Sequence, residues 1–243
     1  PQLNPYMSMI DAHTFEQGNM RLRPETSYHL ELSYGAKDKS VNFLANVYAD
    51  YLKDNITQVA MLNGDILLLT FVNGTFEFKT GLEASLGITP CKWFDMQFGA
   101  NTYYVDTKGD YEGIDLDNRG IVNSDNLKLT FHPIKAMDIQ AQYFFETPQY
   151  YPQFTTKLSH HLDIGISHKF LKGSLVVSLL LTDVFKTNSW DIFSDNRIYH
   201  LTNTSINKSR MLWIGIRYNF NSYKANNAPK NTENDRNKVR LGL

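Results

Sequence analysis

Seven histidines and 25 acidic residues are the side chains of this sequence with the most capacity for chemistry. Histidine can ligate a metal or move a proton near neutral pH, and grouped carboxylates can hold a hard cation. Spacing decides whether they can. His160 and His161 are adjacent. On an extended strand, neighbours point to opposite faces, so this pair cannot chelate one ion. His161 and Asp163 do share a face, where a hydrated polar surface would satisfy both without any catalytic role. Residues 106–118 contain Asp106, Asp110, Glu112, Asp115 and Asp117. These oxygen donors are close enough together for Ca²⁺, but they lack the spacing of an EF-hand loop. The single cysteine, Cys91, excludes an internal disulfide and any multi-cysteine metal centre. No zinc-protease, nucleophile-elbow, phosphate-loop or dinucleotide fingerprint occurs. No residue is therefore assigned a catalytic or metal-binding role, no cofactor is implied, and the sequence points away from an enzyme.

Another set of candidates is aromatic. Tyr111, Tyr150, Tyr151, Phe154 and Trp190 fall in segments that read as loops. Exposed aromatic rings could stack on a sugar or grip an apolar ligand, or they could pack on one another. The sequence alone does not choose between these, so the ligand-binding residues are unknown at this level.

The elements that position these side chains are strands. Apolar residues alternate with polar ones over many segments, the period of a half-buried strand. Leu212, Ile214, Ile216, Tyr218 and Phe220 alternate with Met211, Trp213, Gly215, Arg217 and Asn219. Leu162, Ile164, Ile166 and Phe170 alternate with His161, Asp163, Gly165, Ser167 and Lys169. The same pattern covers residues 28–34, 41–51, 76–88, 94–104, 127–131, 137–145 and 175–181. That predicts nine antiparallel strands, most longer than the five or six residues usual in soluble proteins. A tilted strand crosses a membrane in about 9–11 residues. Short connections (36–39, 89–91, 133–136, 171–173) alternate with long ones (54–74, 107–122, 147–155, 188–208). An up-and-down barrel puts alternate connections at opposite ends, so one end has tight turns and the other long loops. Outer-membrane barrels share this asymmetry, with short periplasmic turns and long extracellular loops. Tyr28, Tyr34, Tyr51, Trp93, Phe94, Tyr103, Tyr104, Tyr218 and Phe220 sit near strand ends, as an interfacial aromatic girdle requires.

Composition agrees. Apolar residues make up 42 % and aromatic residues 13 %, and the net charge is −1, so no basic field points to nucleic acid. No apolar run is long enough for a transmembrane helix. The mean hydropathy of −0.38 fits barrel strands, whose lipid-facing and lumen-facing residues average out. A soluble all-β protein is the alternative architecture.

Four motifs carry a resemblance. Leu3-Asn4-Pro5-Tyr6 is followed by Gly18-Asn19-Met20-Arg21-Leu22-Arg23-Pro24-Glu25, with Met20 where the familiar pattern has proline. Leu181-Thr182-Asp183-Val184-Phe185-Lys186-Thr187-Asn188 comes later, then Ser209-Arg210 and Tyr218-Asn219-Phe220. In order and spacing these resemble the C-terminal barrel portion of TonB-dependent outer-membrane receptors, in the receptor-like barrel group. The resemblance implies part of a 22-stranded barrel in the outer membrane of a Gram-negative bacterium. It implies outer-membrane lipids, a plug domain of the parent chain and the TonB complex as partners, and an unknown small-molecule or oligomeric nutrient as cargo. It assigns residues 1–25 to an extracellular segment, 26–220 to the barrel and 221–243 to a polar periplasmic tail. Upstream sequence, with a plug and a signal peptide, is expected to precede Pro1. The alternative function is a barrel that presents its loops for surface binding or adhesion without transport.

Overall fold

A computed structural model describes residues 2–195, 200–205 and 208–220. The tail expected over 221–243 lies outside the described residues. The strands are β1 (Ser8–Met9), β2 (Thr14–Gln17), β3 (Thr26–Lys37), β4 (Val41–Asn63), β5 (Ile66–Cys91), β6 (Phe94–Tyr111), β7 (Ile114–Asp115) and β8 (Asn118–Ile134). After them come β9 (Met137–Glu146), β10 (Tyr150–Tyr151), β11 (Phe154–Thr156), β12 (Ser159–Phe170), β13 (Leu175–Leu181), β14 (Trp190–Asp195), β15 (His200–Ser205) and β16 (Leu212–Tyr218). The only helical element among the described residues is one 3₁₀ turn, Leu171–Gly173.

The predicted strands form one antiparallel meander, β3-β4-β5-β6-β8-β9-β12-β13-β16. Directly opposed residues of an antiparallel pair share a face, so the register shows what each face carries. One row runs Phe43, Leu86, Phe98, Leu127, Tyr143, Leu162. The row one residue away runs Asn42, Gly87, Gln97, Lys128, Gln142, Asp163. The apolar face is exposed, with Leu32 at 76 % and Ile216 at 73 %. The polar face is the one the loops cover, because Tyr103 on it donates to Gln149 from the segment after β9. The sheet is thus polar inside and apolar outside, the arrangement of a barrel wall solvated by lipid. Aromatic rings gather at both ends of the apolar face. Phe94 and Phe131 lie 5.0 Å apart beside Trp93, and Tyr51 lies 6.3 Å from Tyr28 and 6.4 Å from Phe76.

Three boundaries differ from the sequence reading. Residues 54–74 are not an open loop. Strands β4 and β5 continue as one hairpin that reverses at Gly64, whose φ of 62° suits glycine. Likewise β6 and β8 fill most of 107–122. In contrast, β16 has only 7 residues, shorter than its periodic segment over 211–220, while β13 covers the 175–181 expected. The asymmetry of the two ends survives these corrections. Tight turns close one end, and the hairpin extensions with β10, β11, β14 and β15 crowd the other.

A lysine on the two faces should therefore have opposite consequences. In the intact protein folded into lipid, Ile164→Lys should cost about 2–4 kcal/mol, whereas Gln140→Lys should cost under about 1. Denaturant titration in bilayers would measure both. Equal costs would contradict the assignment of faces.

Candidate functional site

The motif Gly18–Glu25 fastens the chain to the β4–β5 hairpin where that hairpin is irregular. Asp54 has a positive φ of 56°, and the β4–β5 register slips between Leu52 and Asn55. Such a bulge leaves ladder groups unpaired. Glu25 compensates, accepting the Ile56 N–H at 2.6 Å. The Asn73 side chain acts as a surrogate strand. It accepts the Arg23 N–H at 2.7 Å and donates to the Arg23 carbonyl at 2.9 Å and the Asp54 carbonyl at 2.7 Å. Arg23 in turn pairs with the Asp54 carboxylate at 2.7 Å. Asn19 donates to the Phe71 carbonyl at 2.9 Å. Upstream, β2 runs parallel to β5, matching Thr14 to Leu67 and Gln17 to Thr70. The motif is a clasp that sets the angle at which the chain enters β3.

The second motif makes a knot. Asp183 follows β13, is 1 % exposed and has a positive φ of 45°. Its carboxylate accepts the Thr187 N–H at 2.8 Å, the Asn188 N–H at 3.2 Å and the Ser209 hydroxyl. Its own N–H donates to Asp163 at 2.8 Å, and Arg210 donates to its carbonyl at 3.4 Å. Thr182 donates to the Ser209 carbonyl, and Thr187 donates to the His160 carbonyl, both at 2.6 Å. Two motifs that are more than twenty residues apart in sequence, around Asp183 and at Ser209-Arg210, are thus one site. Burial pushes the Asp183 carboxyl upward, but the donors of Ser209, Thr187 and Asn188 prevail and hold it below the usual carboxylate range. His161, flagged with Asp163, lies beside this knot and stacks on Phe144 at 4.5 Å. That geometry is structural. The two histidines meet different rings, His160 lying 6.0 Å from Tyr143 and His161 4.5 Å from Phe144, as the alternation requires.

The acidic segment is also explained locally. Asp117 accepts the Gly109 N–H at 2.9 Å, Asp115 accepts the Asp117 N–H at 2.9 Å, and Asp110 accepts the Gly113 N–H at 3.1 Å. The Gly109 N–H, and then Lys108 at 3.3 Å, keep the Asp117 carboxyl below its ordinary range. These carboxylates hold a hairpin tip.

Every fully buried apolar side chain among the described residues lies toward the loop-rich end: Val59, Ala60, Val72, Val105, Ile114, Leu116 and Val122. Val59, Val72, Ile114 and Leu116 form one cluster, with Met61 and Tyr111 against it. Gln153 clips the β10–β11 turn to β4, since its side chain accepts the Ala60 N–H at 2.7 Å and donates to the Ala60 carbonyl at 3.3 Å. The Tyr150 ring occupies the space a Cβ on Gly120 would need, 2.1 Å away. These contacts seat the four-stranded sheet β10-β11-β14-β15 against the polar face of the meander. Beneath it, between that face and residues 188–190, lies a cavity of 460 Å³ lined in part by Glu83, Asn101, Ser124, Glu146 and Trp190. Of its wall residues the sequence singles out only His161, because alternating polar residues look alike on every strand. Trp190 was among the aromatic candidates.

The fold and this capped polar interior define an outer-membrane β-barrel. The sequence matches the outer membrane protein beta-barrel family over residues 1–235, and the chain belongs to that family. It is a protein of the outer membrane of a Gram-negative bacterium. The FrpB iron transporter from Neisseria meningitidis (F3-3 variant) has a similar fold, with TM-score 0.57, 12 % identity, and coverage of 85 % of this chain and 32 % of that one. The outer membrane transporter YddB from Escherichia coli is less similar in structure, at TM-score 0.49 and 12 % identity, covering 85 % of this chain and 34 % of its own. The chain therefore spans about a third of either transporter. Comparison with curated proteins finds no match.

Removing the Asp183 carboxylate leaves buried donors without an acceptor, so Asp183→Ala should cost about 3 kcal/mol. Because the folded carboxyl titrates below its unfolded value, its contribution is complete above the ordinary carboxylate range. It is lost as pH falls through the folded value. The stability gap between the native protein and Asp183→Asn should therefore narrow below about pH 4. Urea titrations from pH 3 to 7 would show a gap independent of pH if the carboxylate does not carry the knot.

Proposed function

We propose that this chain is the C-terminal barrel part of a TonB-dependent outer-membrane receptor that imports a nutrient. The observation that carries the reading is the meander itself. Its inner face is polar and capped, while its edge strands β3 and β16 each have one neighbour only among the described residues. An unpaired strand edge in hydrocarbon leaves several kcal/mol per group unsatisfied, so barrels close. In this reading further strands of the parent protein pair with these edges and complete the wall. The motif series and the fold shared with FrpB support the same reading. In it, residues 1–25 are an extracellular segment, 26–220 the wall, and 221–243 a periplasmic tail. Lipid surrounds the apolar face, a plug domain of the parent chain fills the lumen, and the TonB complex moves the plug.

The reading frame upstream of Pro1 is expected to encode a plug-like domain, and the intact protein should then retain the periplasmic domain of TonB on an affinity column. A frame without such a domain, and an intact protein that passes through the column, would rule the receptor reading out.

A further inference from the structure

The four tight turns gather one kind of side chain at one end of the wall. Strands β3 and β4, β5 and β6, β8 and β9, and β12 and β13 are antiparallel neighbours. Their hairpins reverse at residues 37–41, 91–94, 134–137 and 170–175. Every one of these turns carries lysine: Lys37 and Lys39, then Lys92, Lys135 and Lys172. All five are exposed, and none has a side-chain hydrogen bond or ion pair among the described residues. Asp38 is the single carboxylate within the four turns. Asp95 and Asp138, nearby on the inner face, are already held by His132 at 2.7 and 2.6 Å. The hairpin tip over 106–118, at the opposite end, has the opposite sign, with Asp106, Asp110, Glu112, Asp115 and Asp117 against Lys108.

Consecutive tight turns are two strands apart, about 10 Å at ordinary strand spacing. That is close to the screening length of about 8 Å at physiological salt, so the lysines act as one basic rim. Each turn also exposes an apolar residue beside its lysine: Val41, Trp93, Ile134 or Leu171. A soluble anion or an acidic protein would satisfy the lysines and leave these side chains in water. An amphiphile with an anionic head satisfies both. Its chains take the apolar residues, and the lysine stems lie along them and lift the ammonium groups to the phosphate. A zwitterionic head brings its own cation and gains less. In an outer-membrane barrel the tight turns lie on the periplasmic side, where the leaflet is phospholipid. We infer that this rim is a binding surface for anionic phospholipid of that leaflet, of the phosphatidylglycerol type. The inference depends on how the barrel sits in the membrane and not on nutrient import.

The test uses the intact protein in phosphatidylcholine vesicles that contain a trace of spin-labelled phosphatidylglycerol or phosphatidylethanolamine. The immobilised part of the electron paramagnetic resonance signal reports how much of each lipid is held at the protein surface. Phosphatidylglycerol should be held about fivefold more strongly than phosphatidylethanolamine, and about 1 M salt should remove most of that preference. Lys37→Gln, Lys39→Gln, Lys92→Gln, Lys135→Gln and Lys172→Gln combined should bring the ratio to about one. Arginine at the same five positions should preserve it. The phosphatidylethanolamine signal should be the same in all three proteins, because the apolar wall is unchanged. Three results would overturn the inference: the native protein holds both lipids equally, the preference survives the glutamine variant, or it is lost in the arginine variant as well. TonB capture bears on none of these results, so this inference and the receptor reading fail separately.

Discussion

A backbone that crosses hydrocarbon must satisfy each of its N–H and C=O groups from within the protein. In this chain the antiparallel ladder does so between neighbouring strands, up to the outer edges of β3 and β16, and everything else follows from it. Once the ladder is laid down, side chains alternate between two faces by geometry alone. The row Phe43-Leu86-Phe98-Leu127-Tyr143-Leu162 must then meet lipid if the row Asn42-Gly87-Gln97-Lys128-Gln142-Asp163 is to meet water. The wall has no apolar core between layers. Lipid takes that role, which is why large apolar side chains such as Leu30 and Ile214 stand exposed.

Only where the strands run past the lipid does the chain need a core of its own. There it builds one, from Val59 and Val72 of one hairpin and Ile114 and Leu116 of the next. Two polar devices anchor this outer structure to the wall. Glu25 and Asn73 tie the incoming chain to the bulge at Asp54. The Asp183 carboxylate ties the end of β13 to the segment that re-enters as β16. Both sit at places where the ladder is interrupted and backbone groups would otherwise lack partners. The second of these anchors also fastens the connection after β13 to β12, where Thr187 donates to the His160 carbonyl.

The nine wall strands were legible because one side of each is apolar and the other polar, and period two shows this directly. Legibility failed where that contrast disappears. Ile66-Leu67-Leu68-Leu69 reads as a continuous apolar run, since this part of β5 is flanked by β2 and β4 and adjoins the outer core. Asp54 shifts the phase by a bulge, so the strand seems to end there. The motifs were recognisable, but their joint was not: nothing local connects Asp183 to Ser209. Of the aromatic candidates, Trp190 could not be separated from Tyr151 or Phe154 without knowing which rings stack on each other.

The most direct test of this account is a map of which side chains touch lipid. Single cysteines on a Cys91→Ser background, placed at successive positions 162–167 of β12 in the intact protein in outer membranes, would be labelled with a membrane-impermeant maleimide and with a lipophilic one. The account predicts strict alternation. Positions 162, 164 and 166 should react only with the lipophilic reagent, and 163, 165 and 167 with the water-soluble one wherever the lumen admits it. Equal labelling by the water-soluble reagent at all six positions would contradict it, because the apolar face would then be facing water.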